Sequence, residues 1–240
     1  MRRLSLLTVV AGLLVAGLAG TAQAASTKTW HVKITNLTVG PVATAGQPMS
    51  PPLWAVHDKK IDVWSVGQLA SSGMLPIVED AFNTPLQSYL SSNSHVREAQ
   101  TETGAAAGPP PIPPGPIPPG STREFDVTSK GGDKYLSMAW MLVRTNDGFT
   151  GLDSYKLNGG KGRRRGKGKR KTLMLGAYDG GTENNNQDCD FIPGPPCGRF
   201  FFRDPTAQAI ARHPGITGPS DIAAFAWTNP VAKVKITRTK

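Results

Sequence analysis

Apolar and polar residues alternate at both ends of this 240-residue chain. Near the start, Trp30, Val32 and Ile34 interleave with His31, Lys33 and Thr35. Near the finish, Ala232, Val234 and Ile236 interleave with Lys233, Lys235 and Thr237. A period of two is the pattern of a strand with one dry face and one wet face. Both ends are therefore expected in sheet. Phe125 and Val127 suggest a third, short strand. Residues 136–143 (LSMAWMLV) are almost uninterrupted apolar, which fits a central strand covered on both faces. Residues 173–178, 199–202 and 222–227 are further strand candidates.

Helical signals are sparse. Thr84-Pro85 ahead of Leu86 places a cap residue and a helix-start proline before a short helix, and residues 75–82 hold another turn or two. The chain has 27 Gly and 21 Pro with 38% hydrophobic residues. That composition excludes a helical bundle or coiled coil and favours an all-β domain with long loops. Residues 108–120 (GPPPIPPGPIPPG) lack the N–H donors of a ladder strand and are expected as an extended polyproline connector over the surface.

The first 24 residues have the layout of a secretory signal of the Sec type: Arg2 and Arg3, an apolar run over 4–19, then Ala22-Gln23-Ala24 as a cleavage site. Residues 25–240 are then one domain of the extracellular or periplasmic space, with no apolar stretch long enough for a mature transmembrane helix. In that compartment Cys189 and Cys197 are expected to pair. The loop they close is small and stabilises by roughly 2.5 kcal/mol at most.

The formal charge of +10 invites a nucleic-acid reading, but placing the charges removes it. Besides Arg2 and Arg3, eight basic residues lie in one run: Lys161, Arg163, Arg164, Arg165, Lys167, Lys169, Arg170 and Lys171. The other 17 basic residues balance the 17 acidic ones. The run over 161–171 is glycine-rich, has nothing to bury, and is expected as a solvated loop. It has no interleaved aromatic residues for base stacking, so its candidate partners are polyanions in general, held electrostatically. Its position in sequence between two acidic loops suggests a place near them in space.

Those loops carry the chemistry. Residues 136–143 run into Arg144-Thr145-Asn146-Asp147-Gly148, and residues 173–178 run into Asp179-Gly180-Gly181-Thr182-Glu183. Calcium takes six to eight hard oxygen ligands, carboxylate and carbonyl together, and glycine-rich turns free carbonyls to curl around an ion. Asp147, Asp179 and Glu183 are the candidate ligands, with Asn146 and Asp153 close by in sequence.

Five segments together resemble the spondin domain, the module of F-spondin and of secreted bacterial proteins. They are WHVKITNLT at 30–38, WSVGQLASSGM at 64–74, TNDGFTGLDS at 145–154, AYDGGTE at 177–183 and PVAKVKITR at 230–238. The resemblance implies a C2-like antiparallel β-sandwich with long loops and one or two short helices. It also implies one calcium ion held at one end by Asp147, Asp179 and Glu183. Glu183 departs from F-spondin, which has aspartate there, and carries its carboxylate one methylene further out.

No G-x-S-x-G, H-E-x-x-H or phosphate-binding glycine loop is present. His57-Asp58 is the one adjacent histidine–acid pair, expected as an ordinary loop pair, and His31, on the polar face of its strand, is expected to be exposed. The leading expectation is a secreted, calcium-binding, non-enzymatic module for binding or adhesion, whose partner is an extracellular protein or polysaccharide. The rivals are a calcium-dependent hydrolase of envelope polymers, in which Asp147 and Asp179 would be the working pair, and a matrix protein tethered to polyanions by its basic loop.

Overall fold

The computed structural model describes residues 26–39, 45–104, 114–157, 170–197 and 202–240. Strands β1 (Lys28–Asn36) and β2 (Leu53–His57) precede two short helices, α1 (Leu75–Asp80) and α2 (Thr84–Ser92). Strands β3 (Val96–Thr101), β4 (Thr122–Ser129), β5 (Tyr135–Met141), β6 (Gly148–Lys156), β7 (Arg170–Leu175), β8 (Tyr178–Asp179), β9 (Ala211–Arg212) and β10 (Ala232–Arg238) follow. They form two antiparallel sheets, one ordered β4-β1-β10-β7 and the other β3-β2-β5-β6-β8-β9. The fold is an all-β sandwich with two short helices.

The alternating ends lie side by side. β1 pairs with β10 from Trp30↔Arg238 to Asn36↔Ala232, and β4 covers its other edge. Trp30, Val32, Ile34, Val234 and Ile236 point into the core between the sheets. On the wet face, His31 lies between two carboxylates, bonding Asp126 at 2.9 Å and Glu124 at 3.0 Å. It keeps 38% side-chain exposure, so it is partly exposed and ion-paired.

The continuous apolar run has a reason in layering. From β5, Leu136, Met138 and Trp140 face the inter-sheet core, whereas Ala139 faces a second core beneath the helices. β2 divides the same way: Trp54 and Val56 turn inward, Leu53 and Ala55 toward the helices. The second core is closed by Ile77 and Val78 of α1 and by Leu86 and Leu90 of α2. A strand between two cores is apolar at nearly every position, and the buried exceptions, Ser137 and His57, bond each other at 2.8 Å.

Several expectations are corrected. Residues 173–178 are not one strand. The chain leaves the four-stranded sheet after Leu175 and enters the six-stranded sheet at Tyr178. At the crossing, side chains replace ladder partners: Asn229 Oδ1 accepts from Ala177 N at 2.9 Å, and Thr150 Oγ1 donates to Gly176 O at 2.9 Å. Residues 222–227 hold a 3-10 turn (Ala223–Phe225) instead of a strand, because only Ile222 is buried there and no alternating face is formed. Phe202 is exposed and outside any strand, and the rest of the 199–202 candidate lies outside the described residues.

In the proline-rich connector, residues 108–113 lie outside the described residues, but the remainder is not confined to the surface. Ile117 is fully buried and exchanges two backbone hydrogen bonds with Met49, at 2.7 and 3.0 Å. His57 is a strand residue with no exposure, not part of a loop pair. Its ring bonds Ser137 Oγ at 2.8 Å and the Asp58 carbonyl at 2.6 Å, and burial lowers its pKa.

The signal segment at 1–24 and the basic residues Lys161, Arg163, Arg164, Arg165, Lys167 and Lys169 lie outside the described residues. Arg170 and Lys171 do not belong to a loop. They open β7, opposite Thr237 and Ile236. Among the described residues no helix is long and apolar enough to cross a membrane.

Candidate metal centre

Asp147 ends the loop between β5 and β6, and Asp179 ends β8. The two strands pair at Gly148↔Asp179, so the sheet itself brings the two acidic loops to one end, as their sequences suggest. The contact is direct, because Gly180 N donates to Asp147 O at 3.2 Å.

The Gly-Gly turn then folds back over Asp147. Gly181 has φ +69°, and a Cβ there would lie 2.3 Å from Gln208 O. No residue with a side chain fits that turn. The turn delivers three donors to one carboxylate oxygen. Asp147 Oδ2 accepts from Thr182 N at 2.7 Å, Glu183 N at 3.0 Å and Thr182 Oγ1 at 3.2 Å. Asp147 Oδ1 is buried and receives no hydrogen bond.

Asp179 divides its carboxylate between Gly181 N, at 2.7 Å, and the side-chain amide of Asn185. Glu183 is buried, and neither of its carboxylate oxygens receives a hydrogen bond. It faces a different cation: Arg203 Nε lies 3.5 Å from Glu183 Oε1 and 3.6 Å from Glu79 Oε2. The same guanidinium also pairs with Asp80. One arginine thus serves three carboxylates.

Negative charge is in excess at this end, and the ionisation equilibria reflect it. Burial pushes the Asp147 carboxyl up to about 6, helped by the nearby Asp179 charge and opposed by the donors from Thr182 and Glu183. Burial pushes Glu183 up to about 8, despite Arg203, with Glu79 and Asp147 adding to the rise. Burial also raises Glu79. His213 completes the surroundings. Burial pushes its imidazole down to about 4. Its Nδ1 accepts from Gly215 N at 2.9 Å, and its Nε2 is buried without a partner.

A buried carboxylate that lacks donors is costly unless it is neutralised or meets a cation. The orphaned oxygens of Asp147 and Glu183 are hard donors and fit calcium chemistry. Among the described residues, no three His, Cys, Asp or Glu side chains converge as a ready-made metal centre. Asp153 is exposed on β6 and accepts from Ser65 Oγ at 2.9 Å. Asn146 Nδ2 donates to Asn186 at 3.0 Å.

Two other segments brace this end. Trp64 opens the WSVGQLASSGM segment. Its ring meets Phe149 and Tyr178 edge-on at 5.0 Å each, and its Nε1 donates to Met138 O at 3.0 Å. Further along, Gly67 N and Gln68 O bond Ile210 at 2.8 Å each, just ahead of β9. The segment therefore supports the strand that carries Asp179. Cys189 and Cys197 are joined in a disulfide, and Arg144 Nε donates to Pro195 O inside the bridged loop at 2.7 Å. The bridge braces the approach to Asp147.

Sequence reasoning missed Glu79, Arg203 and His213. Their participation depends on α1 and on residues 203–213 packing against the 179–183 turn, and no local motif marks it. No family model matches the chain, and a search of curated proteins finds no match.

Proposed function

We propose that the chain is a secreted or periplasmic β-sandwich of the spondin kind. It binds one calcium ion at the acidic end and works as a non-enzymatic binding or adhesion module. The observation that carries this reading is the set of buried carboxylate oxygens that receive no hydrogen bond, Asp147 Oδ1 and both of Glu183, beside Asp179 at the meeting point of two loops. Asp147 and Asp179 would hold the ion, and Glu183 would add the third carboxylate, shared with Arg203. Bound calcium would supply the positive charge that this end lacks and would order its loops. A C2-like arrangement is part of the same reading.

Burial also favours binding over hydrolysis. Asp147, which a hydrolase would pair with Asp179, is 0% exposed, so a polymer chain in solvent does not reach that carboxylate. A catalytic pair must touch its substrate.

Calcium titration of the mature chain tests the proposal. A ligand that binds only the folded state raises stability by about 2.7 kcal/mol at one hundred times its Kd. EGTA should lower the melting temperature and calcium should restore it. Asp147→Asn keeps the acceptor for Thr182 N and Glu183 N, so it should fold and lose the calcium response. An unchanged melting curve together with no binding heat in the unsubstituted chain would sink the site.

A further inference from the structure

A second charged feature lies at the opposite end of the six-stranded sheet. β2, β5 and β6 are neighbours there, paired at His57↔Tyr135 and Tyr135↔Lys156. Each brings a lysine to that end: Lys59 just after β2, Lys134 just before β5 and Lys156 as the last residue of β6. All three are exposed. They line one cleft of about 270 Å³ with Asp58, Gly132 and Tyr135.

Asp58 is the only acid in that lining, and its oxygens are already engaged. Oδ1 accepts from Lys60 N at 2.7 Å, and Oδ2 bonds His95 Nδ1 at 2.9 Å. Among the described residues none of the three lysines has an ion pair. Tyr135 forms a wall, stacked on the buried His57 ring with centroids 6.0 Å apart. Three lysines against the one carboxylate of Asp58 leave an excess of like charge in the lining, and an oxyanion among them relieves the repulsion through charge-assisted hydrogen bonds.

The last described residue before the basic run, Leu157, is at the same end, where its N donates to Lys134 O at 2.8 Å. Lys156 lines the cleft, Leu157 behind it is fully buried, and the run follows. β6 begins beside Asp147 and ends at Lys156, about 26 Å away at strand rise. The expected closeness of the run to the acidic loops concerns residues 161–169, which lie outside the described residues.

We infer that the Lys59–Lys134–Lys156 cleft binds an oxyanion, sulfate or carboxylate, borne on a sugar unit of an anionic glycan. A cleft of about 270 Å³ lined by three lysines suits one charged sugar unit. The inference rests on the reading of the chain as a binding module, but it needs no calcium.

The test uses the full mature chain and a sulfated disaccharide in low-salt calorimetry. Lys59→Gln, Lys134→Gln and Lys156→Gln combined should weaken binding at least tenfold. Neutralising 161–169 should change it less than threefold. Inorganic sulfate at millimolar concentration should compete with the disaccharide. Equal affinity in the triple variant, or loss only on neutralising the run, overturns the cleft. Loss of retention on anionic-lipid vesicles in the triple variant, with disaccharide affinity intact, overturns the glycan in favour of a membrane. The three lysines are exposed, so an unchanged melting temperature verifies that each variant is folded. Calcium titration reads the other end separately, and either proposal can fail alone.

Discussion

The two ends of the six-stranded sheet handle charge in opposite ways. At one end Asp147, Glu183 and Glu79 are buried, one arginine serves several acids, and the pKa values of Asp147 and Glu183 climb toward neutrality and beyond. At the other end Lys59, Lys134 and Lys156 stand in water around an open cleft. Exposed lysines cost the fold almost nothing, because solvent screens them. Buried acids cost the fold unless something neutralises them. The acidic end is thus tied to folding, whereas the basic end is free to serve association alone. Substitutions and pH should therefore change stability at the first end and affinity at the second.

The largest expected effect comes from removing the shared cation. Arg203→Gln leaves Glu183 and Glu79 without their counter-charge. At pH 8 in EGTA it should cost about 2–3 kcal/mol in urea unfolding. That is below the range for a fully buried pair because the Arg203 side chain keeps 27% exposure. The loss should shrink at pH 5, where Glu183 is protonated. A cost under about 0.5 kcal/mol, in the range of ordinary surface substitutions, would break the contrast between the ends.

The pH profile comes next. An acid whose folded pKa is raised binds more protons in the native state than in the unfolded chain, so stability falls as pH rises between its unfolded and folded values. For Asp147 that window runs from 3.8 to about 6, and for Glu183 from 4.5 to about 8. His213 acts in the opposite sense between about 4 and 6.5: protonation of the unfolded chain removes stability as pH falls through that range. Above pH 6.5 Glu183 gives the main change, and His31, raised above 6.5 by Asp126 and Glu124, adds to it in the same direction. Calcium-free protein should lose roughly 2 kcal/mol between pH 6.5 and 8. Saturating calcium should flatten the slope, since bound carboxylates are ionised in the native state as they are in the unfolded chain over this interval. A flat calcium-free profile over that interval would show that Glu183 is not held as described.

The smallest effect on stability belongs to the basic run. Removing 161–169, with a short Gly-Ser link from residue 160 to Arg170, should change unfolding free energy by less than about 0.5 kcal/mol. It should nevertheless lower the salt concentration that elutes the protein from heparin. The cut stops before Arg170 because Arg170 and Lys171 belong to β7. A large stability loss would mean that the run is structural, and the division between the ends would need redrawing.

Legibility in the sequence followed the range of the interactions. β1 and β10 were readable because a half-buried strand leaves period-two alternation in its own residues. β5 was readable because burial on both faces leaves a continuous apolar run. β6 (GFTGLDSYK) was not, since glycines and polar residues erase the period although its first five residues are buried. β9 is two exposed residues that count as strand only because β8 lies beside them. Within the candidate site, Asp147, Asp179 and Glu183 were legible from their glycine-rich loops and from the spondin resemblance. Arg203, Glu79 and His213 became visible only through packing.

The amino-acid sequence by itself determined the all-β class, the pairing of two cysteines, the concentration of basic charge in one run and the location of the acidic turns. Each of these is local, written in periodicity, spacing or composition. Tertiary structure alone decided how the charges are used. Strand register places Asp147 against Asp179, packing brings Glu183 to Arg203, and the direction of β6 carries Lys156 to the end opposite the acids. Burial and long-range proximity set the electrostatics of a charged group, and neither is a property of the residues next to it in the chain.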